Sequence, residues 1–281
     1  MDAQSDSGAS QGTHPGAGWR WLRSQVCRQA PLLSAPEPAG NAPEGKGAGE
    51  RGGAGAGDRG GECAVCRGPA RGGSRLCFQC GWHREYLPGL LPDVVAPVAY
   101  AAKGGQHATN LWLYKSGRPG AAPAGAALTA LLLVFLREHG GCVWRRAGMT
   151  RPTHVAVVPS RRGRPGVHPL QQLAAPYLTL PWARLRLAGH GSPDSRQPDP
   201  WRFESEPMAG ASVLLLDDTW TSGASAVSAA AALRLAGAGH VAVVVLGRHL
   251  DTTPPDGGRF SPAAMPFRPL LCAVHQQPAA A

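Results

Sequence analysis

The tract Val213-Leu214-Leu215-Leu216-Asp217-Asp218-Thr219-Trp220-Thr221-Ser222-Gly223 constrains the fold of this chain more than any other segment. Its apolar run follows Gly210 without a polar break, the pattern of a strand buried on both faces of a parallel sheet. The run stops at two adjacent acids. After Gly223 the Ala-rich stretch 224–236, carrying Val227, Leu233 and Leu235, predicts a helix. Elsewhere strands are predicted at 94–100, 155–159, 184–187 and 240–246, and helices at 106–115, 124–139 and 169–177. Alternating strands and helices give an α/β fold, a doubly wound parallel sheet flanked by helices. Residues 189–208, rich in Pro, Ser, Asp and Arg, read as a mobile loop or hood over the ligand end of that sheet.

Ligands of open α/β sheets bind beyond the carboxyl ends of the strands, where residues 217–223 fall. A helix N-terminus supplies unpaired N–H groups and partial positive charge, suited to a phosphate dianion. The Thr221 and Ser222 hydroxyls add donors, and Gly223 lets the backbone close on phosphate oxygens. The carboxylates of Asp217 and Asp218 can accept hydrogen bonds from vicinal ribose hydroxyls and offset positive charge building on the sugar as its anomeric leaving group departs. Phosphate at one end and diol at the other specify a ribose 5-phosphate. Singly, an acid ending a strand or a serine capping a helix is ordinary. The joint order carries the reading. Trp220 either walls the pocket or packs beneath it.

Four of the seven cysteines form Cys63-x-x-Cys66 and Cys77-x-x-Cys80, joined by a loop containing Gly68, Pro69, Gly72 and Gly73. Two such hooks can place four thiolates about one Zn2+ at ~2.3 Å, a closed structural site with no position left for chemistry. The alternatives are two disulfides or a redox pair, but nothing in the sequence suggests export, and a redox pair needs no second hook. Cys27, Cys142 and Cys272 are spaced as ordinary thiols.

Outside these segments little can be buried. The 38 Gly and 27 Pro concentrate ahead of Cys63, so 1–60 reads as a disordered extension whose only helical spacing is Trp19, Leu22 and Val26. The organisation expected is that extension, a four-Cys module at 61–92, the sheet domain at 93–250 and a Pro-rich tail at 251–281. The longest apolar stretch, 121–136, is shorter than the ~20 residues of a bilayer span and is interrupted by Pro123 and Gly125, so a buried helix, no membrane insertion and a cytoplasmic location are expected. A net charge of +10 permits polyanionic partners, nucleic acid included, without selecting one.

The acid pair followed by Thr-x-Thr-Ser-Gly resembles the motif of type I phosphoribosyltransferases that binds PRPP, the 5-phosphoribosyl 1-diphosphate donor. The order of a four-Cys finger, Tyr114-Lys115, Val155-Ala156-Val157-Val158-Pro159 and then this motif resembles the ComF family, competence-associated proteins of that fold, across residues 63–250. The resemblance implies that Asp217 and Asp218 hold the ribose hydroxyls. It implies a 5′-phosphate at Thr219, Thr221, Ser222, Gly223, Ala224 and Ser225, and pyrophosphate met by Pro159, Ser160, Arg161 and Arg162. Mg2+ would be bound largely by the substrate. Lys115 and Arg248 match basic positions of the family and are either phosphate contacts or solvated basic residues.

The sequence also departs from that family. Where ComF proteins usually read Arg-Gly-Phe-Asn-Gln, this chain has Arg164-Pro165-Gly166-Val167-His168-Pro169-Leu170. Position 221, a carboxylate base in some purine-salvage relatives, is Thr, so the motif shows no general base. Two functions follow. One is an enzyme transferring phosphoribose from PRPP to an acceptor. The other is a non-catalytic protein that senses PRPP or a nucleotide and docks single-stranded DNA or competence proteins.

Overall fold

The computed structural model describes residues 20, 22–26, 61–70, 74–160, 166–189, 196–251 and 274. Its centre is a parallel sheet of β3 (Val94–Ala102), β4 (His154–Val157), β7 (Ser212–Trp220) and β8 (His240–Leu250), in the order β3-β8-β7-β4. A parallel bridge from Val155 to Trp182 extends it beyond β4. Both central strands are buried along most of their length, as their unbroken apolar runs require.

One face of the sheet is covered by α2 (Gln106–Leu113), α3 (Ala121–Arg146) and α4 (Pro169–Ala174), packed on Leu214, Leu216, Val244 and Leu246. The other is covered by α5 (Ala224–Leu235) and by the four-Cys segment with its helix α1 (Phe78–Tyr86), packed on Val213, Leu215, Val243 and Val245. The alternation of Val213 and Leu215 against Leu214 and Leu216 is the two-residue period of a strand buried on both sides. The four-Cys segment, read from the sequence as a module at 61–92, packs into one core with the sheet. Its own strands, β1 (Gly61–Glu62) and β2 (Pro69–Ala70), pair antiparallel. The Tyr100 hydroxyl, on β3, ties it down: its one proton lies between two acceptors, Glu62 Oε1 at 2.5 Å and the Arg67 carbonyl at 2.7 Å.

Several expected boundaries move for identifiable reasons. Helix α3 runs over 121–146 rather than 124–139, because Pro123 sits in the first turn, where a missing N–H costs no helical bond. Gly125 faces α4 so closely that a Cβ would approach Leu173 to 3.2 Å. This helix is long and apolar enough to cross a membrane by length and composition, but Leu128, Leu131 and Phe135 are buried against the sheet. β7 does not stop at 216: β8 lies alongside as far as Trp220↔Arg248, so both acids are within the strand. The predicted strand at 184–187 leaves the main sheet. β5 (Leu185–Leu187) instead pairs antiparallel with β6 (Phe203–Ser205), giving the expected hood a defined strand and two buried polar residues, Asp199 and Arg202. In the expected N-terminal extension, residues 20 and 22–26 are helical and Val26 is buried in the core. Most of the remaining extension and tail lie outside the described residues.

Candidate functional site

β4 and β7 are parallel neighbours, with Val157 beside Leu216, yet their connections leave on opposite sides of the sheet. β4 leads to α4 on one face, whereas β7 turns through 221–223 into α5 on the other. Diverging connections open a crevice at the carboxyl ends of the two strands, the ligand position of doubly wound sheets. Pro159 and Ser160 emerge at that crevice from β4 and line a cleft of about 770 Å³ that runs along Trp182 to Leu187. Arg161 and Arg162, expected to complete the pyrophosphate loop, lie outside the described residues.

The two carboxylates differ sharply. The Tyr114 hydroxyl donates to Asp218 Oδ2 at 2.5 Å, and Lys115 Nζ reaches the same oxygen at 2.7 Å. Both donors follow directly from α2, so the end of that helix delivers them as a pair. Burial works to raise Asp218, but the Lys115 charge and hydrogen bonds from Lys115, Tyr114 and Thr219 overcome it and hold the carboxyl below its ordinary range. Asp217 is half-buried and makes no ion pair with any described residue; its Oδ1 accepts the Asp218 N–H at 2.8 Å. Burial, and then the neighbouring Asp218 charge, push Asp217 up to about 8. Strand alternation starts the two side chains toward opposite faces of β7. Lys115, read as a phosphate contact or a solvated residue, is thus the counter-ion of Asp218.

Beyond the acids, Thr221 is exposed, Ser222 and Ser225 are half-buried, and Gly223 and Ala224 are buried. Gly223 caps α5 at φ 84°, in the left-handed region where glycine carries no Cβ penalty. The Trp220 ring packs directly against it: a Cβ at residue 223 would fall 2.2 Å from Trp220 Cζ2. Trp220 therefore forms the floor of this turn, the packing alternative of the sequence reading. No acid stands in the first turn of α5, and among the described residues the only side-chain contact to its first amides is a long one, Ala224 N–H to Ser222 Oγ at 3.4 Å. The arrangement leaves an amide-lined helix start beside hydroxyls, chemistry that suits an anion.

The hood is clipped to the same helix. Ser228 Oγ donates to the Ala224 carbonyl at 2.6 Å, accepts the Asp199 N–H at 2.8 Å and lies 3.4 Å from Arg202 Nη1. Sequence reading passed over Asp199, Arg202 and Ser228. The polar Ser228 inside an Ala-rich helix was the available signal.

Cys63, Cys66, Cys77 and Cys80 bring their Sγ atoms within 4.8 Å of one another, and none is in a disulfide. Cys66 and Cys77 Sγ are 3.7 Å apart, against about 3.8 Å for the edge of a tetrahedron with ~2.3 Å metal–sulfur bonds. Hydrogen bonds among the four hold Cys63 down and push Cys66 and Cys80 up, because thiolates this close cannot all carry charge without a cation between them. The donor set fits one structural metal ion such as zinc and leaves no open coordination position.

Arg248 joins the four-Cys segment to the turn after β7. Its Nη1 donates to the Trp220 and Thr221 carbonyls at 3.2 Å each and to the His249 carbonyl at 2.5 Å, with the residue only 8 % exposed. Read from the sequence as either a phosphate contact or a solvated basic residue, Arg248 is a buried brace on the backbone of the turn. On the module side His83 lies edge-on to Trp220, with ring centroids 6.4 Å apart, and burial holds it at about 4, hence neutral.

Compared with known proteins, the chain matches no protein-family model and no curated protein.

Proposed function

We propose that this chain binds a ribose 5-phosphate, PRPP or a nucleotide, in the crevice between β4 and β7, in the manner of type I phosphoribosyltransferases. The observation that carries the reading is the switch point itself: the acid pair and the glycine-capped start of α5 lie on the strand where the connections diverge. In this reading the 5′-phosphate meets the amides of Gly223, Ala224 and Ser225 and the hydroxyls of Thr221 and Ser222, while Thr219 supports the carboxylates. Asp217 accepts from the ribose hydroxyls. Asp218, kept ionised by Lys115, offsets charge that grows on the sugar as its bond to pyrophosphate breaks and the bond to an acceptor forms. Pyrophosphate leaves toward Ser160. Mg2+, held mainly by the diphosphate, would supply neutralisation of the leaving group. Cys63, Cys66, Cys77 and Cys80 would hold zinc, which contributes folding energy and no reaction step.

One observation favours a second reading. Asp218 is already engaged by Tyr114 and Lys115, and residue 221 offers no base. A site with one carboxylate occupied suits a protein that senses PRPP or a nucleotide without turnover, with single-stranded DNA or competence proteins as its partners.

Calorimetry with PRPP and Mg2+, followed by pyrophosphate release over a panel of bases, separates the two. Binding that disappears in Asp217→Asn with Asp218→Asn is expected under both readings. Turnover on one base selects the enzyme, and binding with no pyrophosphate release selects the sensor. An undiminished PRPP affinity in the double variant refutes both.

A further inference from the structure

Among the described residues the four-Cys segment carries an apolar strip that stays open to solvent. The Ala64 N–H bonds the Arg75 carbonyl at 2.9 Å, which sets the tip of the first hook against the start of the second. On these tips Val65 is 38 % exposed and Phe78 is 79 % exposed. Trp82 and Tyr86 follow Phe78 at four-residue intervals on α1, the spacing that puts side chains on one helix face, and Tyr86 is 51 % exposed. Ring centroids lie 6.1 Å apart from Phe78 to Trp82 and 5.2 Å apart from Trp82 to Tyr86, so the rings form a continuous ridge. Apolar side chains gathered in this way, unlike ones scattered singly, mark a surface on which something docks.

Charge narrows what that is. Arg75 and Arg84 line the open groove beside Phe78 and Trp82, and with Val65 and Arg146 they line the neighbouring cavity. All three arginines are exposed and have no ion pair to any described residue, against a single acid on α1, Glu85. Tyrosine and tryptophan with polar edges, and arginines with long apolar stems, are the side chains that settle where lipid headgroups meet acyl chains. Val65 has no ring face on which a nucleic-acid base could stack, whereas an aliphatic tip and a phenyl ring both enter acyl chains.

We propose that the four-Cys segment docks this chain on an anionic membrane surface, with Val65, Phe78, Trp82 and Tyr86 entering the interface and Arg75 and Arg84 meeting lipid phosphates. The contact is peripheral and spans nothing. Four thiols gathered about one ion would hold both tips in place, so docking orders little that is not already ordered. One segment supplies a single anchoring signal, which makes the binding weak and reversible. The surface is separate from the ribose 5-phosphate crevice and does not rest on it.

The test is sedimentation of the full-length chain with vesicles of equimolar phosphatidylcholine and phosphatidylglycerol. Binding is expected to weaken as salt rises and to be about tenfold or more stronger than to phosphatidylcholine alone. Val65→Ser with Phe78→Ser, both at exposed positions, is expected to keep the parent's melting temperature and PRPP affinity while binding the mixed vesicles about tenfold more weakly. Arg75→Gln with Arg84→Gln is expected to bring the mixed vesicles down toward phosphatidylcholine alone. No sedimentation, or equal binding by the Val65 and Phe78 variant, overturns the proposal. A parent that is dimeric where that variant is monomeric gives the strip to a second copy and overturns it too. The same holds if an oligothymidylate binds in a Phe78-dependent way while vesicles do not, which gives the strip to nucleic acid. Vesicle binding by a chain that fails to bind PRPP would refute the crevice reading and support this surface.

Discussion

The Arg248 guanidinium occupies the space that a side chain on Gly68 would need: a Cβ there would lie 2.2 Å from Arg248 Nη2. Glycine at 68 is thus what lets the metal module close over the arginine that braces the turn after β7. The tip of an arginine ordinarily moves aside cheaply, but this one is buried and holds three carbonyls. Gly68→Ala is therefore expected to lower stability by about 1–3 kcal/mol, the cost of leaving buried polar groups unsatisfied. It should also weaken PRPP binding. Thermal unfolding and calorimetry check the two together, and an unchanged melting temperature refutes the brace.

Because the four cysteines share a core with Val95, Leu215 and Val243, metal removal should reach the sheet. One zinc per chain is expected by elemental analysis. Chelation should lower the melting temperature of the whole described fold in a single transition, since binding energy at such a site is folding energy. A calorimetric trace in which only a minor early transition responds to chelator would mean that the module unfolds by itself.

Asp217 and Asp218 tilt the pH dependence in opposite directions. Asp217 is raised, so between its ordinary value of 3.8 and about 8 the folded chain holds a proton that the unfolded chain has lost, and stability falls as pH rises through that window. Asp218 is lowered, so its contribution is present above the ordinary value and is lost only as pH falls beneath it. Asp217→Asn should flatten the fall and raise the melting temperature near neutral pH by about 2–4 °C, the shift that ~1 kcal/mol makes in a chain of this size. Parallel slopes for variant and parent across the window would contradict this.

Ser228 holds the hood to α5 through one hydroxyl that serves Asp199, Arg202 and Ala224. Ser228→Ala leaves the buried Asp199 N–H without its acceptor, at a cost of about 1–3 kcal/mol. Limited proteolysis should then cut within 196–208 faster than in the parent while α5 stays intact. Equal cleavage rates would show that the strand pairing of β5 with β6 holds the hood unaided.

How much of this was readable beforehand depends on how local each feature is. The strand 213–216 and the helix after Gly223 follow from an apolar run and Ala-rich composition, and the structure has them at 212–220 and 224–235. The four-Cys cluster follows from spacing alone, because paired hooks leave the thiols few other places. What was not readable depends on neighbours far along the chain. Lys115 and Asp218 meet only because α2 ends over β7, and β7 continues past its acids only because β8 pairs alongside. Arg248 was open between a phosphate contact and a solvated residue, since a basic residue ending a strand carries no mark of the carbonyls it will face. The placement of the metal segment on the sheet was hidden for the same reason: Leu87, Val95 and Ala70 meet in space with no periodicity joining them.

Gly223 bears most directly on whether an anion sits at the start of α5. Its φ of 84° is one that residues with a Cβ rarely adopt, at about 1–3 kcal/mol, and the added carbon would also meet the Trp220 ring at 2.2 Å. Trp220 cannot retreat, because it is 1 % exposed and packed against His83. The strain must therefore be relieved by the turn itself, which carries the Ser222 hydroxyl and the first amides of α5. Gly223→Ala is accordingly expected to fold with a lowered melting temperature and to lose PRPP affinity by about a hundredfold, the equivalent of ~2.7 kcal/mol. Ser222→Ala, which removes a hydroxyl without moving the backbone, should cost about tenfold or less. If Gly223→Ala binds as tightly as the parent while Ser222→Ala does not, the hydroxyl rather than the amide-lined turn holds the phosphate.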